Sequence, residues 1–142
     1  MTPLIIAHDA KSKRNAEAAL ALYDEMINKK AAVSATARFM TPGYIQHNPL
    51  IPTSAKALGE FFTQMANAHP KIRVVIYRVI ASGDWVWAHV NFINIFNDAD
   101  DDRGIAGVDI YRFDDDGKMV EHWDALQEVP DPTKAANTNG MF

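Results

Sequence analysis

The feature that most constrains this chain is a β-hairpin predicted between residues 105 and 126. Residues 105–113 and 119–126 are rich in β-branched and aromatic side chains, which favour strands. Between them, Asp114, Asp115, Asp116 and Gly117 form a turn cluster, and glycine can adopt the positive φ that a tight turn needs. The segment therefore predicts two adjacent antiparallel strands joined by a short loop.

Alternation along the two strands places several titratable side chains on one face. That face is predicted to carry Gly107, Asp109, Tyr111 and Phe113 from the first strand and Val120, His122, Asp124 and Leu126 from the second, with Met119, Glu121, Trp123 and Ala125 opposite. If the four turn residues form the loop, Phe113 pairs with Lys118, and Asp109 faces His122. Asp124 then lies two residues along the same face. The predicted register thus brings two carboxylates and an imidazole together.

Such a cluster on a largely apolar strand face costs free energy unless the groups are paired or hydrated. Titratable groups in such surroundings are often retained because they take part in function. We therefore take Asp109, His122 and Asp124 as candidate catalytic residues. A slip of one residue would turn one strand over and separate them. An exposed hairpin face with ordinary surface charges explains the same pattern and stays open.

Composition limits the classes to which the chain can belong. Its 142 residues predict a single domain over 1–142, with 48% hydrophobic and 23% charged residues, as in soluble globular proteins. A net charge of -4 and the absence of a basic stretch argue against nucleic acid as a partner. No cysteine is present, which excludes disulfides and thiolate chemistry. No apolar run reaches the ~20 residues that span a bilayer, so we expect a cytoplasmic protein without a membrane partner.

The order of predicted elements is helical first and β-rich last. Apolar residues at helical spacing predict helices over 10–28, 31–40 and from Thr53 or Ser54 to 68, with an extended segment at 44–48. Period-two patterns predict strands over 72–81, apolar on both faces and so covered on both, and over 85–96. This order predicts an α+β fold, in which the helices pack on the concave face of a curved, mostly antiparallel sheet. A pocket is expected between helices and sheet.

Further residues are predicted to line this pocket. The candidates for its apolar lining are Tyr23, Phe61, Met65, Trp87 and Leu126, and the candidate polar contacts are His47, His89 and Asn91. Each of the apolar side chains is as readily explained as ordinary core, and each lone histidine as a hydrogen-bonded structural residue.

The motif YIQHNP at residues 44–49 and the motif GVDIYRFDDDGKMVEHWD at residues 107–124 carry a family resemblance. The chain resembles the SnoaL-like polyketide cyclase family of the nuclear transport factor 2-like superfamily, over nearly its full length. The resemblance implies a cystatin-like cone, a pocket for a small and mostly apolar molecule, and dimers. In the enzymes of the family it implies acid–base chemistry by pocket carboxylates and histidines.

Single residues refine this resemblance. Asp124 matches the acidic position that superfamily enzymes such as limonene-epoxide hydrolase use inside the pocket. That hydrolase also needs an Arg-x-Asp pair on the long middle strand, where this chain has His89-Val90-Asn91. Asp109 is an acid that the hydrolase lacks. The resemblance therefore implies proton transfer at carbon, as in polyketide cyclases and ketosteroid isomerases, rather than epoxide opening.

The predicted chemistry is a cofactor-free enolisation, isomerisation or aldol closure of a small, largely apolar carbonyl compound. Such a reaction needs a base beside the carbonyl and a donor for the enolate oxygen. Asp109 or Asp124 would be the base, and His122 would orient it or donate to the oxygen. His47, His89 and Asn91 would be further donors.

Three other interpretations stay open. The first is a binding or carrier protein with the same pocket and no turnover. The second is a metal-dependent site built from His47, His89, His122 and Asp124, because imidazole and carboxylate suit Zn or Fe. The third is a purely structural protein without a ligand-sized cavity.

An apolar outer sheet face predicts a homodimer, because large apolar faces are rarely left in water. The residues expected on that face are Trp123, Phe92, Val90 and Val108. Alternatively, another helix or the C-terminal tail of the same chain covers it.

Overall fold

The computed structural model describes all 142 residues and contains three helices in its first half. They are α1 (Ala10–Tyr23), continued by a π-helical turn (Asp24–Asn28), α2 (Ala32–Phe39) and α3 (Ala55–Ala68). Asp9 caps α1 by accepting a 2.8 Å hydrogen bond from the backbone of Ser12. Ser54 caps α3 in the same way through the backbone of Ala57 at 3.1 Å. The local capping signals in the sequence therefore account for where α1 and α3 begin.

Six strands form one mixed sheet. They are β1 (Leu4–Ile6), β2 (Met40–Gln46), β3 (Arg73–Ser82), β4 (Trp85–Ile93), β5 (Ile105–Phe113) and β6 (Met119–Glu128), in the spatial order β1-β3-β4-β5-β6-β2. The three central pairings are antiparallel, whereas the two edge strands β1 and β2 run parallel to their neighbours. The α+β prediction of helices on a curved, mostly antiparallel sheet is confirmed. Strand β1 was not predicted, because three residues carry too little pattern.

The helices cover one face of the sheet, and the main core lies between the two layers. Helix α1 packs on β3 and β4, where Ala16 and Ala19 meet the sheet with no exposed surface. Opposite them, Val86 and Val90 of β4 are also fully buried. Burying one such valine contributes ~1.5–3 kcal/mol. Small and branched side chains thus allow helix and sheet to approach closely.

Strand β4 turns the opposite way from the prediction. Its buried face carries Val86, Ala88, Val90 and Phe92, so the expectation that Val90 and Phe92 lie on the outer face is wrong. Trp87 is 50% exposed on the outer face. Directly opposed residues share a face, and Ala88 opposes Asp109 on β5. The pairing with β5 therefore decides the orientation of β4.

The outer face of the sheet carries an apolar patch. We call it the outer-face patch and define it as Ile80, Trp85, Trp87, Val108, Ile110 and Trp123. Ile80 is 50% exposed, so the prediction that its strand is covered on both faces is wrong at this end. The C-terminal residue Phe142 stacks on Tyr77 at a centroid distance of 4.4 Å. The chain's own tail therefore covers part of the outer face beside the patch.

The hairpin has a different register from the predicted one. Phe113 pairs with Met119, which leaves a five-residue loop, and a bulge follows between Arg112 and Phe113. Asp109 consequently opposes Asp124 rather than His122. Loop and bulge each shift the pairing by one residue. Beyond the bulge the register is therefore shifted by two residues in total. Because side chains alternate with a period of two, the residues predicted on the inner face there remain on it.

Met119, by contrast, lies on the face opposite to the predicted one. It was predicted on the outer face, but it is fully buried in the core beside Phe113. It lies on the loop side of the bulge, where only one of the two register shifts applies.

No helix of this chain is both long enough and apolar enough to cross a bilayer.

Candidate functional site

A narrow pocket opens between the sheet and the helices. It contains about 600 Å³ of space between atoms, including its open mouth. Most of its lining is apolar, and the polar groups lie on β5, on β6, on β2 and the residues just after it, and at the end of α1. The lining residues are Tyr23, Met26, Tyr44, Gln46, Asn48, Leu50, Ile51, Leu58, Phe61, Phe62, Phe92, Ile95, Phe96, Ile105, Asp109, Tyr111, His122, Asp124 and Leu126.

Asp109, His122 and Asp124 form the polar centre of this pocket. His122 Nε2 lies 2.8 Å from Asp109 Oδ1 and 3.8 Å from Asp124 Oδ2. The side chains of all three are at most 10% exposed. In this low-dielectric setting their interactions are stronger than they would be in water. The parallel pairing of β2 with β6 and the antiparallel pairing of β5 with β6 hold the three residues together.

Both carboxylate oxygens of Asp109 have partners. Oδ1 contacts His122, and Oδ2 accepts a short hydrogen bond from the Tyr23 hydroxyl of α1. Burial and the nearby Asp109 charge raise the pKa of Tyr23 well above its ordinary value. Tyr23 therefore remains a phenol that donates to Asp109. Neither carboxylate oxygen of Asp109 is therefore free to accept a hydrogen bond from a ligand in the pocket.

Asp124 is the more available acid. Burial raises its pKa above the ordinary 3.8, and the charge of Asp109 adds to this. A 2.8 Å hydrogen bond from Asn48 Nδ2 to Asp124 Oδ2 opposes the shift. The Asn48 amide is oriented by its own Oδ1, which accepts from the backbone of Leu50 at 2.9 Å. The second carboxylate oxygen of Asp124 makes no hydrogen bond within the chain.

The far nitrogen of His122 contacts strand β2. Its Nδ1 lies 2.7 Å from Gln46 Oε1, which also accepts from the backbone N–H of Asn48 at 3.0 Å. The His47 backbone N–H donates to the His122 carbonyl at 3.0 Å. β2 thus positions the imidazole through both its backbone and a side chain.

The predicted metal set does not form. His47 and His89 lie on the outer side of the sheet, so they cannot join His122 and Asp124 around one ion. Asp109, His122 and Asp124 do have ligand atoms within 4.8 Å of one another. However, both Asp109 oxygens, the His122 Nε2 and one Asp124 oxygen already have protein partners. A hydrogen-bonded network therefore fits these atoms better than an ion.

Several predicted pocket residues lie elsewhere. Trp87 and His89 point outward on β4, and burial together with Arg78 lowers the pKa of His89. Asn91 is buried, but its Nδ2 donates to the carbonyl of Arg103 at 3.0 Å, away from the pocket. The expected pocket placement of these three residues is wrong, because the whole strand is turned over.

His47 and Met65 also miss the pocket. His47 stacks on Trp123 at 4.8 Å and contacts Glu121 Oε2 at 2.8 Å on the outer side. Met65 packs against the core from α3 without reaching the pocket wall. Among the predicted apolar lining residues, Tyr23, Phe61 and Leu126 do line the pocket.

Four polar residues that line the pocket were not predicted as site residues. They are Tyr44, Gln46, Asn48 and Tyr111. Alternation along YIQHN could have identified three of them, because Tyr44, Gln46 and Asn48 share a face that His47 does not. His47, which was predicted to contact the substrate, lies on the opposite face of that segment.

Comparisons with known proteins place this geometry in a family. A sequence profile of the SnoaL-like domain matches residues 19–122. A candidate polyketide cyclase from Bacillus cereus ATCC 10987 superposes with a TM-score of 0.71 at 19% identity, covering 89% of this chain and 86% of that chain. For a candidate SnoaL-like polyketide cyclase from Jannaschia sp. CCS1 the TM-score is 0.67 at 19% identity, with 84% and 90% covered. An NTF2-like protein of unknown function from Mesorhizobium loti gives 0.67 at 16% identity, with 87% and 99% covered.

Among curated proteins, none matches this sequence. At such low identities the similar structures show the fold and leave the activity open. The profile match spans most of the chain, from the last part of α1 through the segment YIQHNP to the hairpin as far as His122. The chain belongs to the SnoaL-like domain family.

Proposed function

We propose that this protein is a cofactor-independent acid–base enzyme, of the cyclase, isomerase or aldol type, acting on a small neutral carbonyl compound. The observation that carries the proposal is the pairing of Asp109 with Asp124 across two strands, with His122 between them, at the polar centre of an apolar pocket. Perturbed titratable groups in such a cleft are typical of catalytic sites.

The lining supports a neutral and largely apolar substrate. Aromatic and aliphatic side chains make up most of the wall, and no lysine or arginine belongs to it. An anionic group would find no counter-charge and would meet the charge of Asp124. A pocket of this kind favours a ring-bearing ketone or ester over a carboxylate or a phosphate.

The two aspartates have different roles in the proposed reaction. Asp124 acts as the general base, because it has a free oxygen and because burial raises its pKa toward the working range of a base. Asp109 and His122 act as a pair that holds a proton for the carbonyl oxygen. The Tyr23 hydroxyl keeps Asp109 in place.

The proton balance of the step is simple. Asp124 takes a proton from the carbon beside the carbonyl, and the electron pair of the broken C–H bond forms the enolate double bond. The Asp109–His122 pair donates a hydrogen bond or its proton to the enolate oxygen, which lowers the energy of the intermediate. Return of the proton from Asp124 to a different carbon of the enolate completes an isomerisation. In an aldol closure the enolate carbon attacks a second carbonyl, and the alkoxide formed there takes the proton that Asp124 removed.

The test is α-proton exchange of a neutral bicyclic ketone such as 2-tetralone in D2O, followed by proton NMR. Asp124→Asn should lower the enzymatic exchange rate by ~10²–10⁴-fold while ligand affinity changes little, because the amide keeps the shape but cannot accept the proton. Asp109→Asn and His122→Gln should cost less. Asp116→Asn, in the exposed hairpin loop, is the matched control and should exchange like wild type.

Two outcomes would overturn these roles. A larger loss for Asp109→Asn than for Asp124→Asn would exchange the roles of the two aspartates. Tight ketone binding without exchange above the buffer rate would instead favour the carrier interpretation, provided that binding survives the loss of either aspartate.

We also propose that two copies associate through the outer-face patch. Trp85 and Trp87 are 43% and 50% exposed there, which is a large apolar area for a face in water. Trp87→Lys should convert a dimer into a monomer in sedimentation velocity at micromolar concentration. Val33→Lys changes another exposed apolar residue, on α2, and should leave the dimer intact. A 15.8 kDa species for wild type would refute the proposal.

A further inference from the structure

We infer that Gln46 sets the tautomer of His122: Nδ1 carries a proton, and Nε2 is the nitrogen that shares a proton with Asp109. Gln46 would then be a positioning residue, which acts on the reaction through the imidazole. The importance of this tautomer for turnover rests on the proposed function. The tautomer itself follows from hydrogen bonds alone and can be measured without a substrate.

The backbone of Asn48 decides which way the Gln46 amide points. Its N–H donates to Gln46 Oε1 at 3.0 Å. A reversed amide would turn an NH2 group toward this donor, and a buried N–H without an acceptor costs ~1–3 kcal/mol. The reversal would bring Oε1 near the Tyr44 hydroxyl instead, but that contact is 3.4 Å long and weak. The oxygen therefore stays on the side of Asn48.

The same oxygen lies 2.7 Å from His122 Nδ1. A carbonyl oxygen can only accept, so Nδ1 must be the donor. Neutral imidazole carries one proton, and here Gln46 assigns it to Nδ1. The orientation of one amide thus determines the protonation pattern of the ring.

The contact on the other side of the ring needs a second proton. Asp109 Oδ1 lies 2.8 Å from His122 Nε2, and two lone pairs at that distance would repel each other. One proton must therefore lie between the two atoms, either on the imidazole or on the carboxyl. In both cases Nδ1 keeps its own proton. The pair can release the shared proton into the pocket while Gln46 holds the ring in position.

The groups around His122 support this assignment. Asp124 lies 3.8 Å from Nε2, on the side of the shared proton. The rings of Tyr44 and Tyr111 lie 6.4 and 4.9 Å from the imidazole centroid. Burial raises the pKa of both tyrosines, so both stay neutral. No lysine or arginine lines the pocket to supply a competing positive charge.

The test is a two-bond ¹H–¹⁵N NMR spectrum of the imidazole rings at neutral pH, which shows which nitrogens carry protons. The His122 signals are those that disappear in His122→Gln. Wild type should show a protonated Nδ1. In Gln46→Met, which keeps the volume but removes the acceptor, Nδ1 should lose its proton and Nε2 should donate to Asp109. A wild-type Nδ1 without a proton overturns the inference, and so does a Gln46→Met spectrum that equals wild type.

A conservative variant separates this role from a merely structural one. Gln46→Glu keeps an acceptor for both Nδ1 and the Asn48 backbone, so its Nδ1 should stay protonated. Gln64→Met makes the same chemical change on the exposed side of α3 and should leave the spectrum unchanged. If Gln46→Met does not fold, the wild-type and Gln46→Glu spectra still decide, because a bare Nδ1 in either one contradicts the inference.

Turnover then distinguishes the inference from the proposed function. Ketone exchange should fall by ~10–100-fold in Gln46→Met, as activity does when the hydrogen-bond partner that orients a metal-bound histidine is removed, and recover in part in Gln46→Glu. If the spectra show the expected tautomers but wild type catalyses no exchange, the proposed function is refuted and the tautomer inference stands. Normal exchange in Gln46→Met despite a changed tautomer would show that the tautomer does not serve the reaction.

Discussion

The hydrogen bond from Tyr23 to Asp109 offers a direct test of the buried network. Tyr23→Phe removes only the hydroxyl and keeps the ring, including its edge-on contact with Tyr111 at 6.0 Å. Both partners are almost fully buried, so the freed Asp109 oxygen cannot turn to bulk water. A hydrogen bond to a charged acceptor contributes ~1.5–3 kcal/mol. We expect the free energy of unfolding to fall by about 2 kcal/mol.

Urea unfolding followed by circular dichroism measures this loss. A loss of about 2 kcal/mol is a large part of the ~5–15 kcal/mol that stabilises an ordinary domain. It should also lower Tm by roughly 5–10 °C. The control is Tyr77→Phe, whose hydroxyl makes no hydrogen bond within the chain and whose ring stacks on Phe142. The control should change the free energy of unfolding by less than ~0.5 kcal/mol.

A double-mutant cycle tests whether the loss comes from this one contact. In an Asp109→Asn background the acceptor is neutral, and removing the Tyr23 hydroxyl should cost only ~1 kcal/mol. Equal losses for Tyr23→Phe and Tyr77→Phe would refute the buried network. An unchanged loss in the Asp109→Asn background would show that the Tyr23 hydroxyl acts through another partner.

Three further outcomes are expected. Gly104→Ala should lower the free energy of unfolding by more than ~2 kcal/mol in urea unfolding, because its φ is +90° and a Cβ would lie 2.0 Å from Asn91 Oδ1; Gly43→Ala, with open space around it, should be nearly neutral. Prolonged EDTA treatment should leave the ketone exchange rate unchanged, and loss of exchange restored by a divalent cation would revive the metal interpretation. The exchange rate should rise with pH along a limb that lies above 3.8, because the base works only when ionised and burial raises the pKa of Asp124; a limb that persists in Asp124→Asn would point to another base.

The hairpin shows how a prediction with the wrong pairing can still identify the right face. The turn chemistry of Asp114 to Gly117 predicts a loop, but neither the fifth loop residue nor the bulge near Arg112 has a clear sequence signal. A strand face depends only on whether a shift is odd or even. Together the two single shifts leave Asp109 and Asp124 facing the pocket. Met119 lies between the loop and the bulge, where only one shift applies, so its side chain turns into the core.

Strand β4 shows where the sequence cannot decide. Both of its faces are apolar, with tryptophans on one and valine, alanine and phenylalanine on the other. Alternation assigns residues to two faces but does not say which face meets the helices. Because α1 packs closely on the sheet, the small side chains of Val86 and Ala88 fit beneath it. Trp85 and Trp87 lie on the outer face. His89 and Asn91 were misplaced as a consequence.

Local chemistry by itself therefore determines much of this protein. Caps, helical spacing and period-two patterns are properties of neighbouring residues, so the three helices, the main strands and the acidic face of the hairpin could be read from the sequence. Pairing across the sheet depends on contacts between distant residues. Only the tertiary structure brings Gln46 and Asn48 of the β2 segment against His122 and Asp124, because a parallel pairing between β2 and β6 joins parts of the chain 76 residues apart.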